Sequence, residues 1–134
     1  AGDTFETELE ALDRNFANHD YFFLHYKPAD GAGEDGNFDL KVKRLEELDS
    51  HIPKILSLNP DVLIVAGDHS TPSIMGAHSW HPVPLLIKSS ITRHLGVDRF
   101  TEEACSRGPL GHLSATNIMI LALAHAGKLN KFGA

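Results

Sequence analysis

The spacing of hydrophobic positions changes several times along this chain, and each change marks an element. Phe5, Leu9, Leu12 and Phe16 recur at helical spacing behind Asp3 or Thr4 as cap, with Glu6 at capping-box distance from Asp3. That pattern predicts a helix to about Asn18. Residues 21–26 form a short aromatic run closed by Lys27-Pro28 and read as a buried strand. Residues 30–37 hold three glycines and three acids without an apolar period, which predicts a loop. Phe38, Val42, Leu45, Leu48 and Ile52 restore the helical spacing. Pro53 predicts a kink or a new turn before Leu58-Asn59-Pro60 closes that helix. Residues 61–66 are a continuous aliphatic run, the pattern of a strand buried on both faces of a parallel sheet. A second loop, residues 67–81, leads to a third strand at 82–87, whose prolines suit an edge or a strand start. Thr101 to Ala104 starts a short acidic helix, and Ser114 caps a last helix through Ile118, Leu121, Leu123 and His125.

This order predicts an α/β fold, a mostly parallel sheet flanked by helices, with a right-handed crossover in a βαβ unit. No repeat, low-complexity tract or linker divides the chain, and 134 residues suit one core. No apolar run approaches the roughly 20 residues that span a bilayer, and the first residues lack a signal-peptide pattern, so a soluble, cytoplasmic protein is expected, with no membrane partner. Cys105 is the sole cysteine, which excludes an intrachain disulfide and reads as a half-buried free thiol. A net charge of −6, with 12 scattered Lys and Arg, argues against a nucleic-acid surface. Nine histidines, several beside carboxylates in glycine-rich segments, point instead toward a metal.

The strongest local signal is Gly67-Asp68-His69-Ser70, directly after the most strand-like segment. Ligands of open α/β sheets bind at the carboxyl ends of strands, so a carboxylate and an imidazole there face a crevice. An ordinary capping acid with a surface imidazole is the plainer alternative. Asp30 and Glu34 also follow a predicted strand and are expected at the same sheet edge. An EF-hand begun at Asp30 fails, because Asp35 stands where the turn glycine belongs and Lys41 where the bidentate acid belongs. His78 and His81 precede the third strand, so at least one can return over that edge. Three segments thus deliver oxygen and nitrogen donors to one place.

Asp30-x3-Glu34, the run Gly67-Asp68-His69-Ser70-Thr71-Pro72 and the run His78-Ser79-Trp80-His81-Pro82-Val83-Pro84 resemble the C-terminal metal motifs of archaeal-type, 2,3-bisphosphoglycerate-independent phosphoglycerate mutases, members of the alkaline phosphatase superfamily. The resemblance runs through the whole chain. It implies a partial alkaline-phosphatase-like core, residues 1–134 forming the C-terminal portion of the metalloenzyme domain, without the N-terminal core segment and the inserted substrate domain. It further implies two divalent ions, manganese or else magnesium, cobalt or zinc. Asp30, Glu34 and His78 would hold one ion, and Asp68 and His69 the other. Related enzymes often have histidine where Glu34 stands, and the added negative charge should favour hard ions. His81 and Ser70 would be supporting or substrate-side residues.

In that family a serine nucleophile passes a phosphoryl group between two hydroxyls of glycerate, interconverting 3-phosphoglycerate and 2-phosphoglycerate in glycolysis. The resemblance places that serine in the absent N-terminal segment, so no catalytic nucleophile is assigned here, and the chain is expected to be a fragment inactive by itself. Uncovered apolar surface then predicts self-association. Two other readings stand beside this one. The parent could be a metal-dependent phosphatase or phosphonate-processing enzyme on the same core, or the chain could be a non-catalytic module that binds a metal or a partner.

Overall fold

The computed structural model describes residues 4–93 and 97–129. The chain divides into two compact units. One comprises the chain up to Asn59 together with Thr71–His78, and the other comprises Pro60–Ser70 together with the chain from Ser79 onward.

The first unit is helical. Helix α1, Phe5–Asn15, is capped by Thr4, whose hydroxyl accepts from the Thr7 amide while the Thr7 hydroxyl accepts from the Thr4 amide. The capping box therefore closes one residue later than the Asp3–Glu6 pairing expected from sequence, and Asp3 itself lies outside the described residues. A single 3₁₀ turn, Phe16–Asn18, ends the segment where the hydrophobic period stops. Leu9 and Leu12 are buried on the inner face of α1 and, with Ala32 and Ile55, make up the fully buried apolar core among the described residues.

Residues 21–26 correct the first strand expectation. Among the described residues they join no ladder, although their burial alternates strictly between exposed and half-buried. The alternation is that of an extended chain with one covered side. A strand also needs a neighbour to pair its backbone groups, and no described segment supplies one. Phe23 is accordingly 76% exposed.

The predicted glycine-rich loop is a helix over most of its length. Helix α2, Pro28–Glu34, opens with proline at its first position, where the missing amide proton costs nothing. Its end is a Schellman motif: the Asn37 amide donates to the Ala32 carbonyl, the Gly36 amide donates to the Gly33 carbonyl, and Gly36 has φ +67°. Asn37 then caps helix α3, Phe38–Ser57, by accepting from the Leu40 amide. Packing of α2 on α3, with Ala32 and Gly33 buried, outweighs the poor helix propensity of the glycines. Pro53 sits within α3 and does not end it. Asn59, at φ +53°, turns the chain out of the helix.

The second unit mixes strands and helices. Strands β1, Val62–Ala66, and β2, Leu85–Ser89, pair antiparallel with Ile64 opposite Ile87. The fold is α/β as expected, but this ladder is antiparallel, so a mostly parallel sheet with a right-handed crossover is not what the described residues form. The aliphatic run of β1 suggested burial on both faces, whereas in this two-stranded ladder its residues are half-buried. Helix α4, Glu102–Ser106, begins where expected and is capped by Thr101. Ser114 stands before a 3₁₀ turn, Ala115–Asn117, and its hydroxyl meets the Thr116 hydroxyl instead of capping the backbone. Helix α5, Ile118–His125, follows and packs against β1, and its His125 Nδ1 lies 2.9 Å from the Ser89 hydroxyl. Cys105 is a half-buried free thiol, 3.7 Å from the Leu85 carbonyl.

Candidate metal centre

The helical form of α2 determines what Asp30 and Glu34 can do. Residues four apart lie one above the other on a helix surface, so the two carboxylates share one face of α2. They come from a helix and not from a loop at a strand end, which corrects the geometry expected from sequence. The third donor arrives through a tight reversal. The amides of Met75 and Gly76 both donate to the Pro72 carbonyl. Gly76, at φ +57°, passes so close to α2 that a Cβ there would lie 3.3 Å from the Glu34 carbonyl oxygen. The turn returns the chain over α2 and places His78 Nε2 3.5 Å from Asp30 Oδ1 and 3.3 Å from Glu34 Oε1.

Asp30 is the most enclosed of the three, with its side chain 17% exposed, while Glu34 and His78 are each about half exposed. The Thr71 hydroxyl donates to Asp30 Oδ1 at 2.7 Å, and the Lys27 ammonium donates to Oδ2 at 3.1 Å. Thr71 is itself buried, and its carbonyl accepts a 2.6 Å hydrogen bond from the Lys41 ammonium. Gly33 has to be glycine for this arrangement, because a Cβ there would lie 2.5 Å from the Thr71 carbonyl oxygen. Sequence reading included Thr71 in a motif without giving it a role at the site, and gave none to Lys41 or Lys27. Only the position of Thr71, directly after the Asp68-His69-Ser70 run, could have drawn attention to it.

In the second unit the chain leaves β1 through Gly67 into Asp68 and His69. The Asp68 carboxylate accepts from the His69 amide through Oδ1 at 3.0 Å, and its Oδ2 lies 3.6 Å from His69 Nε2. Asp68 is 71% exposed. The Ser70 carbonyl accepts from the Ser79 amide in an isolated bridge. His81 is exposed, its Nδ1 is 2.7 Å from the Ser79 hydroxyl, and its ring stacks on Trp80 at 4.9 Å. The structure thus gathers Asp30, Glu34 and His78 in the first unit, and Asp68 with His69, and Ser70 with Ser79 beside His81, in the second.

Two carboxylates and an imidazole make a donor set of hard oxygens with one borderline nitrogen. It suits manganese, magnesium or zinc better than soft ions.

A separate electrostatic cluster lies between α1 and α3 and includes none of these donors. Phe5 meets Tyr26 and His51 edge-on at 5.1 and 5.4 Å. The Tyr26 hydroxyl is buried without an aligned hydrogen-bond partner. Burial first, and then the neighbouring Glu47 carboxylate, push its pKa up to about 12. The hydrogen bond from Arg44, 2.8 Å long, is the main cause holding Glu47 below its ordinary value. An open cleft of about 490 Å³, lined by residues such as Leu12, His19, Phe22 and Leu24, also lies apart from the candidate ligands.

Comparison with known proteins agrees with a metal-binding role. Residues 3–125 match the family described as the metalloenzyme superfamily. Over 133 residues the chain is 53% identical to proteins of Thermus thermophilus and Thermotoga maritima named probable 2,3-bisphosphoglycerate-independent phosphoglycerate mutase. The match covers 99% of this chain and 33% of each relative, so the chain spans about a third of the length of the curated relatives it matches. The solved structure of the PH0037 protein from Pyrococcus horikoshii superposes with a TM-score of 0.90 at 33% identity, covering 98% of this chain and 41% of that one. No helix among the described residues is long and apolar enough to cross a membrane.

Proposed function

Since this chain belongs to the metalloenzyme superfamily, we propose that it is the metal-holding part of a phosphoglycerate mutase that interconverts 3-phosphoglycerate and 2-phosphoglycerate. The reading rests on one observation above the others: Asp30 and Glu34, four residues apart on α2, both lie within 3.5 Å of His78 Nε2. In this proposal Asp30, Glu34 and His78 hold one divalent ion, and Asp68 and His69 hold a second. The ions would neutralise phosphoryl oxygens and raise the acidity of an attacking hydroxyl.

The chain's own residues supply binding and orientation. Asp30 is the anchoring carboxylate, because hydrogen bonds to both of its oxygens fix its plane. Glu34 and His78 are more exposed and complete the grip from the open side. His81 and Ser70 are proposed as supporting or substrate-side groups. The names of the relatives support the mutase reading over its competitors. Neither the phosphatase alternative nor the non-catalytic module is favoured by a specific observation.

The test is turnover by a protein of the relatives' length that contains this segment, supplied with manganese. The expected product from 3-phosphoglycerate is 2-phosphoglycerate, without accumulation of inorganic phosphate. Steady release of inorganic phosphate would point to a phosphatase. No turnover of any phosphate ester, with manganese bound, would leave only the binding-module reading.

A further inference from the structure

We infer that Thr71 is a positioning residue for the metal centre, acting through Asp30; this rests on the reading that Asp30, Glu34 and His78 hold a divalent ion. Thr71 is 5% exposed and is the buried polar residue among those described. Burying a hydroxyl is unfavourable unless it is hydrogen-bonded, and this one donates to Asp30 Oδ1 at 2.7 Å. A carboxylate has about four lone-pair directions, and a fixed donor on one of them selects which directions face His78 and an incoming cation. His78 Nε2 lies 3.5 Å from the same oxygen, so the Thr71 bond orients the Asp30 atom that faces the imidazole.

The backbone around Thr71 is held for the same purpose. Lys41, from the second turn of α3, donates to the Thr71 carbonyl at 2.6 Å. Gly33 lets α2 approach that carbonyl closely enough for the Thr71 hydroxyl to reach Asp30, an approach any Cβ at Gly33 would block at 2.5 Å. Lys41 and Gly33 come from separate segments and meet at the Thr71 carbonyl, and the Thr71 hydroxyl carries that placement to Asp30. Groups that hydrogen-bond a metal ligand usually set its affinity, and losing one costs about 10–100-fold.

The experiment is a manganese titration of this chain, followed by the paramagnetic resonance signal of free Mn²⁺, beside thermal unfolding without metal. Thr71→Val keeps the shape and removes the donor, so it should weaken binding by about 10–100-fold. Thr71→Ser keeps the donor and should restore binding. Lys41→Met leaves the buried hydroxyl in place, so it should give a smaller loss in the same direction and keeps the inference testable if Thr71→Val folds poorly. Unchanged affinity in both Thr71→Val and Lys41→Met, with Asp30→Asn still damaging, would overturn the inference alone. Wild-type binding that is insensitive to Asp30→Asn would overturn the metal reading beneath it.

Discussion

The carboxylate–imidazole groups at Asp30 and at Asp68 differ in how they are held. In the first unit Asp30 stands on a helix, both its oxygens accept hydrogen bonds, and its neighbour Thr71 is buried. In the second unit Asp68 stands on irregular chain just past β1, mostly in solvent, with His69 beside it in sequence. The same contrast runs through the packing. Each fully buried apolar side chain among the described residues, Leu9, Leu12, Ala32 and Ile55, belongs to the first unit, while β1 and β2 are only half covered. A ligand is pre-organised when its rotamer is locked by packing and by hydrogen bonds from supporting groups. By that measure Asp30 is built in advance, whereas Glu34 is half exposed and Asp68 is held among the described residues only by its neighbour His69.

The sharpest way to break this contrast is to neutralise one carboxylate on each side. Asp30→Asn should weaken manganese binding by at least about 100-fold, beyond the loss expected for a supporting group. Asp68→Asn should cost about 10-fold, because the exposed Asp68 side chain loses more freedom on binding and so contributes less net affinity. Equal losses in the two titrations would mean that enclosure does not decide the strength of either position.

A smaller effect separates two glycines of the same helix. Gly33→Ala forces a methyl against the Thr71 carbonyl and should destabilise the fold by about 1–3 kcal/mol. Nothing lies within 4 Å of a Cβ at Gly31, so Gly31→Ala should raise stability by about 0.5–1 kcal/mol. Urea unfolding of the two variants checks this, and a stabilising Gly33→Ala would show that α2 is not pressed against Thr71.

An effect confined to alkaline pH concerns the surroundings of Tyr26 in the first unit. The folded chain holds the Tyr26 proton up to about pH 12, whereas an ordinary tyrosine releases it near 10. The stability linked to this proton is therefore complete below about pH 10 and is lost as pH rises toward 12. Tyr26→Phe should flatten that alkaline limb of the thermal midpoint. A limb that persists in Tyr26→Phe would assign the loss to other groups.

Much of this was legible in the order of residues. The periods of α1 and α3, the aliphatic run of β1 and the acidic start of α4 rest on local rules, namely side-chain spacing and charge at helix ends, that need no knowledge of the rest of the chain. The residues proposed as donors, Asp30, Glu34, Asp68, His69 and His78, were also named from sequence, through the resemblance of the motifs that contain them. Three things were not readable, and each depends on contacts distant in sequence. Residues 30–34 look like a loop by propensity, and become helix because α3 and the Thr71 carbonyl receive Ala32 and Gly33. Residues 21–26 look like a strand and lack one, because pairing is a property of two segments. Thr71 carries no signal of its own, since a hydroxyl acquires a role only from what it donates to, 41 positions away. Local pattern determined most of the elements and pointed to the candidate donors. Tertiary packing decided which carboxylate is enclosed and which groups hold it, because burial and hydrogen-bond partnership arise only between parts of the chain that folding brings together.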